Sequence, residues 1–272
     1  MTSPKNATTA RSGQRYYSWR GERYWSVTTI LGGGLPKPAL INWAKKFTAT
    51  YAVENLDKLT KLLEPDTDGE VDREGAIDWL KNAAFRDRDR AADLGTLVHA
   101  ATEAYVLGKP YPAWPPLVKP RMLAFEQFLK DFEPEYSATE ASVYNRTQRY
   151  AGTLDAIATI DDRTILLDTK TSKKAIYPDV ALQLAAYRFA EFIGLPDGSE
   201  EQMHPVTGCA ALRLGEDDYE LIDVRADRDV FQVFLFVREV FRWTSETSKS
   251  VLLGPLNRAE SQVEIDLAKE VA

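Results

Sequence analysis

Cysteine is nearly absent from this chain: Cys209 is the only one in 272 residues. A single thiol excludes an intramolecular disulfide, and it excludes a four-thiolate zinc or iron–sulfur site within one chain. Long apolar runs are missing too, and none approaches the ~20 residues that a bilayer-crossing helix needs. The first residues, MTSPKNATTARSGQ, are polar and lack the apolar stretch of a secretory leader. A cytoplasmic protein with no membrane partner is the expectation. Basic charge is not in excess either: the net charge of −7 argues against a protein that coats nucleic acid through bulk electrostatics. The charge is uneven, however. Lys5, Arg11, Arg15, Arg20 and Arg23 stand against Glu22 alone in the first 24 residues, so a local basic groove is compatible with an acidic total.

Hydrophobic residues make up 44% of the chain, enough for one large domain or two small ones. Residues 1–13 read as disordered. Residues 14–31, QRYYSWRGERYWSVTTIL, carry two β-rich runs about Arg20-Gly21-Glu22 and read as a hairpin, with residues 32–38 as a loop. Helical periodicity covers 39–63, 73–108 and 117–132, broken by an acidic loop at 64–72 and four prolines in 109–116. The pattern then changes. Residues 139–145, 150–160 and 164–170 read as strands, 178–194 as a helix ending at Gly194, 207–224 as two strands, and 229–247 as an amphipathic helix. The expectation is an α/β fold, a central mixed sheet flanked by helices with a helical N-terminal extension. Its divisions would be residues 1–92 (hairpin and helical extension), 93–247 (core with C-terminal helix) and a tail at 248–272.

The chemistry concentrates in GTLDAIATIDDRTILLDTKTSKK, residues 152–174. Side chains alternate along a strand, so Asp168 and Lys170 share a face and Thr169 opposes them. A turn at 161–163 brings Asp155 near the level of Asp168 or Lys170. Carboxylates within apolar strands are costly unless a cation meets them. The pattern is either a strand-borne salt bridge or an oxygen-rich site for Mg²⁺ or Mn²⁺, with the lysine free to work on a water or a phosphate. His99, on one side of the helix LGTLVHAATEAY, is either a core residue or a ligand that favours Mn²⁺. Glu103, one turn on, supports that site or is simply solvated. Glu140 is a third carboxylate or an edge residue. Gln183 and Tyr187, at i and i+4, either pack on the sheet or reach a phosphate from one helix face. The segment RYYSWRGERYW either stacks bases or alternates its faces as an ordinary hairpin.

Four of these pieces occur in a telling order: GTLVHAATEAY, AGTLDAIATI (G-x-x-D), LLDTKTSK (D-x-K) and QLAAY (Q-x-x-x-Y). Over roughly residues 93–190 they resemble the PD-(D/E)xK nuclease superfamily, in particular the stand-alone phage-type members of its RecB-like exonuclease branch. The resemblance implies a restriction-endonuclease-like core. It implies metal ligation by His99, Asp155, Asp168 and the carbonyl of Thr169. Lys170 would be the catalytic lysine, and Gln183 and Tyr187 the auxiliary pair. The cysteines of the iron–sulfur members are absent. The implied function is an Mg²⁺- or Mn²⁺-dependent DNA exonuclease acting on ends or single strands in recombination, repair or phage DNA processing. A recombination or replication protein would be its partner class, and the host cytoplasm its setting if it is phage-encoded. Two alternatives remain: an inactive DNA-binding or assembly module, and a sequence-specific restriction-type endonuclease.

Overall fold

YAGTLDAIATI and RTILLDTK are apolar and β-branched over most of their length, and they pair antiparallel. Their connection is Asp161-Asp162, both left-handed at φ +46° and +61°, the conformation that a tight hairpin between right-twisted strands needs. In the computed structural model, which describes residues 7–10, 13–110, 113–172 and 176–254, this hairpin is the centre of a ten-stranded sheet. In chain order the elements are β1 (Ala7–Thr9), β2 (Arg15–Trp19), β3 (Glu22–Ser26), α1 (Val27–Gly34), α2 (Pro38–Glu54), α3 (Leu56–Leu62), α4 (Arg73–Lys81), α5 (Ala83–Val106) and α6 (Lys119–Phe132). There follow β4 (Glu135–Asn145), β5 (Tyr150–Ile160), β6 (Arg163–Lys170), α7 (Asp179–Arg188), β7 (Phe192–Gly194), β8 (Glu200–Gln202), β9 (Gly208–Leu214), β10 (Tyr219–Asp223) and α8 (Arg228–Ser245).

The sheet is mixed: β3 runs parallel to β5 and β6 parallel to β9, while the other pairs are antiparallel. β4 takes one edge of β5 along its whole length. The other edge is shared, with β3 at Tyr150 and Ala151 and β6 from Ala156 onward. Residues 152–155 of β5 therefore lie in a fork between two strands. Helices cover both faces. On one face α1, α7 and α8 seal Leu154, Ile157 and Leu166. On the other, α5 and α6 bury Ala156, Ala158, Leu167 and Leu212. A third, aromatic cluster of Tyr17, Trp19, Tyr24, Tyr144 and Phe192 joins the N-terminal hairpin to β4 and β7. The α/β class with a helix-flanked mixed sheet is thus as expected.

Three local readings change. Val27–Gly34 is a helix and neither strand nor loop, because Ser26 Oγ caps it by accepting the Thr29 amide at 3.0 Å and its glycines pack closely on α8. A Cβ on Gly34 would stand 2.4 Å from the Val237 carbonyl oxygen, so the glycine serves helix–helix approach. α7 ends at Arg188, and Phe192–Gly194 instead pairs with Val143 and Tyr144 at the edge of β4. Ala7–Thr9, read as disordered, pairs with β2. The rest of that N-terminal expectation (residues 1–6 and 11–12) and the tail from 255 lie outside the described residues.

Candidate metal centre

Continuing the β5–β6 register one step beyond Ala156↔Leu167 sets Asp155 opposite Asp168. The Thr169 amide then donates to Asp155 Oδ2 at 2.6 Å, fixing that carboxylate from the neighbouring strand. Thr169 is brought to the site through this N–H. On the other side of β5, Glu140 faces Asp155 between the Thr139↔Ala156 and Ala141↔Leu154 pairs. Glu140 is left-handed, at φ +47°, in the middle of a strand. That is a strained conformation for a residue with a Cβ, of a kind found where surroundings hold it for a purpose. It coincides with a change of face: Leu154 packs toward α7 and α8, yet Ala156 packs toward α5 and α6. The kink turns both acids toward α5, where His99 waits.

His99 Nδ1 lies 3.6 Å from Glu140 Oε1 and 3.6 Å from Asp155 Oδ2. One ligand atom from each of His99, Glu140 and Asp155 lies within 4.8 Å of the other two. A cavity of about 30 Å³ opens beside them, bordered also by Thr102 and Glu103. That is room for a water or a small ion. Burial works to lower the His99 pKa, but Asp155, Glu140 and Asp168 outweigh it and raise it to about 9. Burial also raises Asp155, with Glu140 adding to the effect and His99, Lys170 and the Thr169 amide opposing it.

Asp168 is 2% exposed, at the end of an apolar strand. Gln183 Nε2 donates to its Oδ1 at 2.7 Å. Its Oδ2 is met by the Lys170 ammonium at 2.6 Å as an ion pair. Burial raises Asp168 to about 6, with Lys170 working against the shift and Asp155 adding to it. Lys170 is raised as well: burial disfavours its charge, but Asp168 and Asp155 more than compensate. Lys170 is therefore an ammonium in this arrangement. Tyr187 lies one turn beyond Gln183, and burial holds its hydroxyl well above the usual phenol range. Its ring covers Gly152, where a Cβ would come within 2.4 Å of Cε1.

The structure thus brings together the residues that the four motifs single out, in two adjoining groups. His99, Asp155 and Glu140 form one, and Asp168, Lys170, Gln183 and Tyr187 the other, with Thr169 between them. Glu140, open to two readings in the sequence, takes its place in the first group. Glu103 borders the cavity and pairs with Lys109 at 3.7 Å. Tyr17 was weighed only as part of RYYSWRGERYW, which forms the β2–β3 hairpin with Tyr17, Trp19 and Tyr24 buried; its hydroxyl shares a hydrogen bond with Thr153 Oγ1 at 2.9 Å in the fork. Hairpin alternation, which puts Tyr17 on the inner face with Trp19, was the available signal.

No family model matches the chain, and no curated protein does. One similar solved structure is described as "Crystal structure of SSO0001"; it shares 16% sequence identity at a TM-score of 0.30, covering 60% of this chain and 72% of that one. Its description names neither activity nor ligand.

Proposed function

We propose that this protein is a metal-dependent deoxyribonuclease that hydrolyses phosphodiester bonds, with exonuclease-like preference for ends or single strands. One observation carries the reading: a His–Glu–Asp set within a single ligand sphere adjoins a buried Asp–Lys pair at a strand end. The donor set fits a divalent cation. It is oxygen-rich with one imidazole, which suits Mg²⁺ or Mn²⁺. Asp168 Oδ2 is already met by the Lys170 ammonium at 2.6 Å, so the fit rests on the donor set of His99, Glu140 and Asp155. His99, Glu140 and Asp155 would hold the ion, with Asp168 beside them. Bound there, the ion would supply Lewis-acid stabilisation of charge developing on the phosphoryl group.

The chain's own residues do the rest. Lys170 Nζ orients the attacking water and donates to oxygen. The new P–O bond forms from that water, the bond to the sugar oxygen breaks, and the water's proton replaces phosphorus on the leaving oxygen. Gln183 fixes Asp168, and Tyr187 closes the α7 side over Gly152. Among the described residues no helix is long and apolar enough to cross a membrane. We place the activity in the cytoplasm, the host's if the chain is phage-encoded, alongside recombination or replication proteins.

The test compares linear single-stranded, linear duplex and covalently closed DNA with Mn²⁺, Mg²⁺ or EDTA. Loss of linear DNA only with metal is expected. Intact DNA in every arm would overturn the proposal, and discrete bands from closed circles would replace it with a site-specific endonuclease.

A further inference from the structure

α2 and α3 bury none of their residues. Yet α2 carries Trp43, Phe47 and Tyr51 at i, i+4 and i+8, and these rings form a ladder with centroids 5.4 and 6.0 Å apart. Tyr51 continues it to Trp79 of α4 at 5.1 Å. Between α2 and α5 lies a groove of about 570 Å³. Its apolar surface includes Leu40, Trp43 and Phe85, and Lys45, Lys81 and Arg88 supply its charge. Trp43 is 37% exposed and Phe85 49%, and the Arg88 guanidinium lies over one face of the Phe85 ring, 5.0 Å from its centroid, leaving the other face for a base. Among the described residues no acid lines it. Lys81 and Arg88 do have exposed acidic neighbours, Asp78 at 3.4 Å and Asp89 at 2.8 Å, but such surface pairs are weak and easily exchanged for another anion.

Three cations around exposed aromatic faces, in a chain of net charge −7, complement a polyanion that bears flat apolar rings. We propose that the α2–α5 groove binds single-stranded nucleic acid, with bases stacked on Trp43 and Phe85 and phosphates at Lys45, Lys81 and Arg88. A duplex keeps its base faces stacked on one another and cannot offer them to these rings; an unpaired strand can.

The groove's position joins it to the metal centre. Arg88 and His99 lie on the same helix, 11 residues and so roughly 16 Å apart along α5. At its other end α2 begins beside Lys37, which pairs with Asp179 in the first turn of α7 at 3.6 Å. α5 in turn crosses the end of β6, where Gly95 approaches Thr171. α2 therefore reaches from the α7 side of the site to the α5 side. That the bound strand is also the substrate rests on the nuclease reading; that it binds does not.

The experiment measures fluorescence anisotropy of a labelled oligothymidylate and of a duplex of equal length, with EDTA present so that no cleavage occurs. The wild type should bind the single strand at least about tenfold more tightly than the duplex. Trp43→Leu and Phe85→Leu, which keep apolar bulk but remove the stacking face, should each weaken single-strand binding by about tenfold. Lys81→Glu with Arg88→Glu should weaken it and flatten its salt dependence. Unchanged affinity in these variants would overturn the proposal. So would a wild-type dimer that Trp43→Leu converts to monomer without altering oligonucleotide affinity, since the groove would then be a protein interface. Hydrolysis of bis(p-nitrophenyl) phosphate with Mn²⁺ separates the two readings. Groove variants that lose strand binding but keep this hydrolysis support the groove, and a wild type that binds strands but hydrolyses neither substrate would sink the nuclease reading alone.

Discussion

Leu154 and Leu166, on neighbouring strands, are fully buried beneath α1, α7 and α8, as is Phe234 on α8 itself. Far earlier in the chain α2 runs its 17 residues without burying one, although Ile41 and Val53 are as apolar as anything in the core. The sheet is specified by its own interior: each apolar side chain has a partner layer, and the Asp–Lys and His–Glu–Asp groups stand on rigid strand and helix ends. The helical extension is held by ring contacts at its surface and by single ties such as Lys37–Asp179. A precise site needs the first kind of support. A surface that must accept a variable, flexible polymer is better served by the second.

The largest expected effect lies on the rigid side. Asp168→Asn should reduce metal-dependent DNA cleavage to the EDTA background, and the metal-free protein should also melt lower, because the substitution leaves the Lys170 ammonium without its ion-pair partner. Normal turnover in that variant would detach the site from the activity. Next, Lys170→Ala should slow cleavage by about 10²-fold or more while Mn²⁺ affinity stays within roughly tenfold, as for a group that positions the reacting water. Calorimetry with Mn²⁺ and a single-turnover assay read the two quantities separately. A direct contrast of the regions comes third. Phe234→Ala should cost about 3–5 kcal/mol in chemical denaturation, by cavity formation in a sealed core. Val53→Ala, at a position 77% exposed, should stay within about 0.5 kcal/mol. Comparable losses would mean that the extension has a core of its own. The last effect concerns pH. The folded pKa of His99, about 9, lies above its ordinary 6.5, so its stabilising contribution is complete below 6.5 and is lost as pH rises through 9. The metal-free protein should melt progressively lower across that window, and His99→Asn should flatten the slope.

The sheet strands were readable because period-two alternation and the Asp-Asp turn agree with the tertiary structure. β5 and β6 fall within a residue of their expected bounds; hairpin counting placed Asp155 near the level of Asp168 or Lys170, and the register sets it opposite Asp168. α1 was hidden because Val27, Thr28, Thr29 and Ile30 are strand-formers by local preference, and its glycines answer to Phe241 and Val237, more than two hundred residues away in sequence. β7 was hidden because its three residues make sense only against the edge of β4. At the site, Asp155, Asp168 and Lys170 showed as charges inside apolar strands. Glu140 stayed ambiguous because its orientation depends on a left-handed backbone that no local pattern announces. Gly152 belonged to a motif, but its reason appears only when the Tyr187 ring is seen above it.

Cys209 sits on β9 between β6 and β10, 1% exposed, its thiol pushed by burial up to about 11. A buried, protonated sulfur does not react with aqueous thiol reagents until the strand around it opens. Being the only cysteine, it makes the unmodified protein its own opening clock. The rate at which a chromogenic disulfide labels it under native conditions reports fluctuations of the sheet's interior, with no background from any other position and no engineered probe.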